Sequence, residues 1–415
     1  MTPRRDPLKV LVIIPALSPV YGGPSFSSIG LAEALGRRGL QVDVVTTNAA
    51  GPRNFPVKLH QWLIESTYRL RYFRRWGCFE VKFSPALMAW LFQHVPDYDI
   101  VHGMSVFNFP AYIYCEACRW HDVPHIIHPQ GMFEPWAMSN KGWKKKVYFR
   151  WLKKPQLERA NVIHCLTQHE AESVAALGVT TSKVIVPNGI NFESMINGDA
   201  NAFLLRYPEL ASKTRLLFLH RVDPKKGLDI LAKSFERLRI RFPNTHLIIT
   251  GPDPIGYWST ASRFFGSAGC AAAVTYTGML TGQDKADALA AADIFVAPAY
   301  SEGFSMSVLE AMAAGLPSVI TTGCNFPEAA QAKVALEVPI DATAFAQALA
   351  SLIENLPAAR EMGQRARTFI FQNYTWDHAA RKTHEVYTAI LNHQPVPYQF
   401  DMSVTETREL ERRAV

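Results

Sequence analysis

The chain has 415 residues, 48% hydrophobic and 19% charged. That length exceeds one ordinary core and calls for two domains, and the composition is that of a globular protein rather than a disordered one. Net charge is +7, and it is unevenly shared: residues 1–190 hold 22 Lys and Arg against 13 Asp and Glu, and residues 191–415 hold 21 against 23.

In chain order, strands are predicted over 10–15, 41–46, 100–102, 125–128, 161–166 and 184–186, with a helix over 25–37 that Gly39 stops. Pro187-Asn188-Gly189 is turn chemistry and a plausible hinge. The second half repeats the alternation, with strands over 215–219, 246–250, 274–276, 294–297 and 318–321 and a helix over 228–241. Two halves that each alternate strand and helix argue for two doubly wound parallel sheets. The expected domains are 1–187 and 188–378, then a terminal helix over 379–394 and a loose tail over 395–415. No apolar run reaches the ~18–20 uncharged residues of a spanning helix. The N-terminus leads into a strand with no leader-type cleavage pattern, so a cytoplasmic protein is expected. Six cysteines in so long a chain set no disulfide framework.

The most informative stretch is Ser301-Glu-Gly-Phe-Ser-Met-Ser-Val-Leu-Glu310. It follows an apolar strand, and after Gly303 the pattern turns helical. Glu302 is thus expected at the carboxyl end of a strand, where open α/β sheets bind ligands, with helix N–H groups just beyond it. Glu310 falls a little over two turns along that helix. Paired carboxylates of this kind can each accept two hydroxyl hydrogen bonds, which suits a sugar or ribose diol.

This stretch resembles the Glu-x7-Glu signature of the retaining family-4 glycosyltransferases, which have the GT-B fold. The resemblance extends to Val274-Thr-Tyr-Thr-Gly278, to Ala291-Ala-Asp293-Ile-Phe-Val-Ala-Pro298, and to Thr321-Thr-Gly-Cys-Asn325-Phe-Pro-Glu328, the last as in polysaccharide-assembly members. It implies two Rossmann-like α/β domains facing a cleft, with the C-terminal helix crossing back to the first. By the same resemblance Glu302 and the backbone of Gly303, Phe304 and Ser305 hold the donor sugar, and Glu310 holds the ribose. Arg221 and Lys226 match the family's Arg and Lys that meet the charge growing on a departing nucleotide diphosphate. Gly22 and Gly23 match a Gly-rich loop that approaches donor and acceptor. Gln130 stands in a slot where the family often has His, and it can donate to a donor oxygen. His128, two residues earlier on the same strand face, reads as a satisfied structural histidine or an acceptor-side group.

The resemblance implies a hexosyltransferase that uses a nucleotide-sugar donor and a saccharide or lipid-linked acceptor, for surface polysaccharide. No cofactor or metal is expected. Cys115, Cys118, His121 and His125 have the wrong spacing for a zinc finger. The basic half points to an anionic partner. Arg69 to Arg75 and the aromatic-rich run Lys141 to Lys154 are candidates for docking on the inner face of a cell membrane, and the alternative for the latter is core packing. Two rival functions remain: a nucleotide-sugar epimerase of similar fold, and a non-catalytic protein binding nucleic acid or a membrane surface. The intact Glu302, Glu310, Arg221 and Lys226 argue against nucleic acid.

Overall fold

A computed structural model describes residues 7–18, 21, 23–77, 81–134 and 149–401. The chain divides into two compact units: Met1–Gly189 with Trp376–Val415, and Ile190–Thr375. The terminal helix, Trp376–Leu391, begins three residues before the expected 379 and belongs to the first unit.

The first unit is built on β1 (Lys9–Ala16), β2 (Gln41–Thr47), β5 (Trp62–Ile64), β6 (Tyr68–Phe73), β7 (Ile100–Met104), β8 (His125–His128), β9 (Val162–Cys165) and β10 (Lys183–Ile185). A small hairpin, β3 (Ala49–Ala50) with β4 (Arg53–Asn54), stands apart. The order is β10-β9-β8-β7-β1-β2-β6-β5, parallel except for the edge strand β5. Successive residues of β1 serve opposite faces, as the pleat demands. Val10, Val12 and Ile14 pack in one core and Leu11 and Ile13 in the other. Helix α1 (Gly23–Arg37) and the terminal helix cover the first face; α2 (Pro85–His94) and α3 (Phe109–His121) cover the second. Ser84 and Asn108 cap α2 and α3 through their side chains, each before a Pro in the first turn. Helices α4 (Lys154–Arg159) and α5 (Gln168–Ala176) flank β9.

The second unit has the order β13-β12-β11-β14-β15-β16, all parallel, from β11 (Thr214–Leu219), β12 (Thr245–Thr250), β13 (Val274–Gly278), β14 (Ile294–Ala297), β15 (Ser318–Thr321) and β16 (Leu336–Val338). This is the Rossmann order, with its reversal between β11 and β14. Leu216 and Phe218 face one core, Leu217 and Leu219 the other. Three helices concern the site: α6 (Leu228–Arg241), α7 (Gly282–Ala291) and α8 (Met306–Ala313).

Two expectations need correction. The basic run 69–75 is only in part a solvated surface. It contains most of β6; Arg74 is exposed, but Arg75 is buried and the half-exposed Arg69 is paired inside the unit. Arg69 Nε and Nη2 meet the two Asp43 oxygens at 2.7 and 2.5 Å, and Tyr98 donates to the same buried carboxylate at 2.7 Å. Arg75 is buried and donates to the carbonyls of Gly51, Pro52 and Arg53. The tail is not loose as far as 401: Gln399 bridges Val184 antiparallel, with Tyr398 and Phe400 bonded to Ile185 and Lys183 at 2.9 and 2.8 Å. Residues 402–415, like 135–148 and Gly22, lie outside the described residues.

Asp43→Ala should lower the stability of the first unit by ~2 kcal/mol, since it removes charge-assisted bonds from Arg69 and Tyr98. Urea unfolding followed by tryptophan fluorescence measures it. An unchanged midpoint would return Arg69 to the pool of surface charge.

Candidate functional site

The strongest constellation lies in the second unit, at the carboxyl ends of β11 and β14, where the strand order reverses. After β11 the chain runs through His220 and Arg221 to a single 3-10 turn, Pro224–Lys226. Gly227 ends that turn with φ +70°, and a Cβ there would sit 1.9 Å from the Pro298 carbonyl oxygen. Glycine is therefore what lets the Lys226 turn lie against the segment leaving β14. Tyr300 N–H donates to Lys225 O at 2.9 Å and joins the same two segments. The Glu302 backbone is held from the other side as well: its N–H donates to Gly323 O at 2.8 Å, and the Asn325 amide donates to its carbonyl.

Glu302 is buried and its carboxylate is bonded to the buried Lys226 ammonium. Burial pushes this carboxyl up, but Lys226, then His220, pull it further down, and it stays below the ordinary range. His220 Nδ1 lies 3.5 Å from Glu302 Oε1, and Ser307 Oγ is 2.9 Å from the same ring nitrogen. Burial, then the neighbouring Lys226, lower the His220 pKa to about 3, so the ring is neutral.

Beyond Glu302, helix α8 starts with no side-chain cap bond at Ser305, so its first N–H groups remain available to an oxygen ligand. Ser305 Oγ is 3.3 Å from Ser307 Oγ. Gly303 is half-buried; Phe304 turns its ring toward Phe326 and Tyr374, so its backbone is the part a ligand can reach. Glu310 stands on α8 and accepts from Lys285 Nζ of α7 at 2.7 Å. Arg221 is exposed and has no side-chain partner among the described residues.

Sequence reasoning thus named Glu302, Lys226, Glu310 and Arg221 but missed His220, Ser307, Asn325 and Lys285. Ser307 and Asn325 stood in the quoted motifs. Lys285 carried no signal, because a lysine on a polar helix face is ordinary. Lys226, on the turn after β11, is buried against Glu302.

The first unit holds the remaining candidates. Gly23 opens α1. Gln130 follows β8 in a left-handed conformation, φ +56°, and donates to Ser28 Oγ of α1 at 3.1 Å. His128 is buried, and neither ring nitrogen has a hydrogen-bond partner among the described residues, which corrects its reading as a satisfied histidine. It stacks on His164 with ring centroids 4.0 Å apart and planes at 22°. With His102 these rings bring ligand atoms within 4.8 Å of one another. Two features oppose a shared metal. Nearly parallel stacked rings have no common in-plane point for one ion. A chain of short contacts also occupies two rings: Tyr387 hydroxyl to His102 Nδ1 at 2.6 Å, His102 Nε2 to His164 Nδ1 at 3.3 Å, and His164 Nε2 to Val186 O at 2.7 Å. Burial keeps all three neutral. Cys115 and His121 are bonded to the Ala111 and Phe92 carbonyls.

Comparison with known proteins follows the same division. Residues 22–189 match the glycosyl transferase 4-like domain and residues 207–369 match glycosyl transferases group 1. A phosphatidyl-myo-inositol mannosyltransferase of Mycobacterium tuberculosis is 32% identical over 224 residues, 52% of this chain and 56% of that protein. The match therefore spans a little over half the length of that relative. Among solved structures, sucrose-phosphate synthase from Thermosynechococcus elongatus has a TM-score of 0.74 at 17% identity, over 93% of this chain and all (100%) of that one. HepE of Anabaena, solved with UDP and glucose, has a TM-score of 0.72 at 17% identity, over 92% and 100%. At such identity the structures show the fold, which is GT-B. With one family model on each unit and the GT-B fold throughout, the chain belongs to the family-4 glycosyltransferases.

Proposed function

We propose that this protein transfers a hexose-type sugar from a nucleotide diphosphate to a hydroxyl of a saccharide or lipid-linked saccharide, with retention at the anomeric carbon, in surface polysaccharide assembly. One observation carries the reading: a buried Glu302–Lys226 pair at the strand-order reversal, followed by a helix start without a side-chain cap. Glu302 would accept the sugar hydroxyls, with the Gly303–Ser305 backbone beside it, and Glu310 the ribose diol. Arg221, exposed and without a side-chain partner among the described residues, and Lys226 would meet the negative charge that grows on the diphosphate. They supply what a divalent ion would otherwise supply, so chelation with EDTA should leave turnover unchanged. The named relatives support the substrate classes: one is named for a phosphatidylinositol acceptor, and another was solved with UDP and glucose.

Residence on the inner membrane face belongs to the same proposal. No helix among the described residues is long and apolar enough to cross a membrane. With Arg75 buried and Arg69 paired to Asp43, the exposed groups among the described residues that could dock include Arg74 on Trp76, the side chains of Val81 and Phe83, and Trp151 with Leu152. Trp76 is 59% and Trp151 73% exposed, unlike core aromatics. The Lys144–Lys146 run precedes Trp151 in sequence. Liposome flotation tests it: binding should require anionic lipid, fade with salt, and drop in a Trp76→Ala, Trp151→Ala double variant. Indifference to anionic liposomes at low salt would refute docking.

Glu310→Ala should weaken binding of UDP or GDP by about 10-fold or more, the loss of one hydrogen bond to a charged group at ~1.5–3 kcal/mol. Glu302→Ala should chiefly lower turnover. Calorimetric binding and initial rates separate them; equal small effects of both would remove the pair from the site.

Arg221→Ala and Lys226→Ala should each lower turnover by roughly 10²–10³-fold. Their stabilities should differ. Arg221→Ala should unfold like the parent. Lys226→Ala leaves the Glu302 carboxylate buried without its ammonium and should cost ~3 kcal/mol. Paired rate and urea measurements decide it, and near-normal transfer by either variant would exclude that residue.

A further inference from the structure

His220, the first residue after β11, has no part in the transfer scheme, yet two polar groups of the site meet on its ring. Its backbone is fixed. The His220 N–H donates to Thr250 O at 3.0 Å, and a Cβ at Gly251 would strike the His220 carbonyl. Glycine at 251, with φ +148°, is what lets the chain leave β12 against this residue. The buried ring packs on Phe218 and Phe295, with centroids 5.1 and 6.0 Å away. Ser307 is the second residue of α8, in the turn whose N–H groups have no side-chain cap. His220 thus joins the end of β11 to the start of α8, with Glu302 beside the joint.

The two ring nitrogens are placed unequally. Nδ1 lies 2.9 Å from Ser307 Oγ and 3.5 Å from Glu302 Oε1, and Nε2 lies 3.2 Å from the same Ser307 oxygen. One hydroxyl can serve only one nitrogen well, and the carboxylate decides which. A neutral imidazole has one N–H and one lone pair. A lone pair on Nδ1 would face a carboxylate that Lys226 keeps ionised, whereas an N–H there is attracted to it. The ring stays neutral because burial, then Lys226, oppose a charge on it; Arg221 opposes it too, and Glu302 favours it without prevailing.

We propose that His220 is a positioning residue for transfer, acting as the neutral Nδ1–H tautomer: its N–H holds the Ser307 oxygen and steadies the Glu302 carboxylate at the start of α8. This rests on the reading of Glu302 as the group that holds the donor sugar, and every residue it uses belongs to the second unit. With Nδ1–H donating, Ser307 Oγ accepts, and its own O–H is left to turn toward Ser305 Oγ, 3.3 Å away. Lys226 and His220 then do different things to Glu302. An ammonium is a point charge with rotatable donors and does not fix the plane of a carboxylate. An N–H on a clamped ring adds a direction.

Nitrogen-15 NMR of histidine-labelled protein reads the tautomer, with the His220 signals identified by their loss in His220→Phe. At neutral pH the proton should sit on Nδ1. A proton on Nε2, or an imidazolium, would overturn the proposal. Three variants separate direction from packing. His220→Phe keeps a ring beside Phe218 and Phe295 and removes both nitrogens. His220→Asn puts an amide N–H where Nδ1 stands, and His220→Gln carries it on toward Nε2. Release of UDP from UDP-glucose, or of GDP from GDP-mannose, should fall about 10-fold or more in the Phe and Gln variants, as for the loss of one hydrogen bond to a charged group. The Asn variant should recover most of that loss. UDP or GDP affinity should stay within about 3-fold of wild type in all three, since Glu310 and Arg221 are untouched. Wild-type release by the Phe variant would overturn the proposal. So would equal rates in the Asn and Gln variants, or losses that merely follow a lowered urea midpoint. If the Phe variant does not fold, the Asn variant identifies the NMR signals and the difference between Asn and Gln decides. If the wild type binds neither nucleotide, the transferase reading fails instead, and the tautomer still decides whether His220 grips Ser307 and Glu302.

Discussion

The buried pairing of Glu302 with Lys226 is the constraint from which the second unit's site follows. Neither charge could stay in that position alone, since an isolated buried ion costs several kcal/mol even after relaxation. Two loops from adjacent strands must therefore be held within bonding distance. Gly227 permits the approach on one side, and Gly323 with Asn325 pins Glu302 on the other. The neutral His220 fills the space beside the pair without adding a third charge. A sugar diphosphate is well matched to such a pair, because it offers an anion to the lysine and hydroxyls to the carboxylate together.

The first unit uses its polar groups differently. Two of its buried carboxylates, Asp43 and Glu134, lie against Arg69 and His169, and three of its histidines, His102, His128 and His164, form a neutral buried cluster. The net positive charge of this half is consequently a poor guide to its surface. Arg75 contributes to the sum and yet is wrapped in three carbonyls.

These particulars explain what the sequence could and could not tell. Strands such as Ile294–Ala297 were legible because a parallel sheet buried on both faces needs an unbroken apolar run. Glu302 and Glu310 were legible because strand, turn and helix lie consecutively in the chain. The strand Tyr68–Phe73 was not, because its alternating arginines look like a solvated charge run unless Asp43, a distant residue on the neighbouring strand, is known to be opposite. Lys285 and His220 were missed for the same reason: what makes each matter is a partner far away in sequence. The edge pairing of 398–400 with β10 was hidden because the short segment has no alternation of its own.

The return of the chain to the first unit has a consequence for how the protein is made. His102 on β7 finds Tyr387 on the terminal helix, and β10 finds its edge partner at Gln399, only after the whole of Ile190–Thr375 has been synthesised. A long insertion would ordinarily delay such distant contacts, although loop-closure entropy grows only slowly with length. Here the insertion closes its own ends: Ile190 bridges Thr375, and its N–H donates to Tyr374 O at 3.0 Å. Once the inserted unit folds, the residues on either side of it leave from neighbouring points, and the effective separation between the early strands and the late helix collapses. The first unit would thus finish last during translation, completed by the closing segment as it follows an already folded insertion.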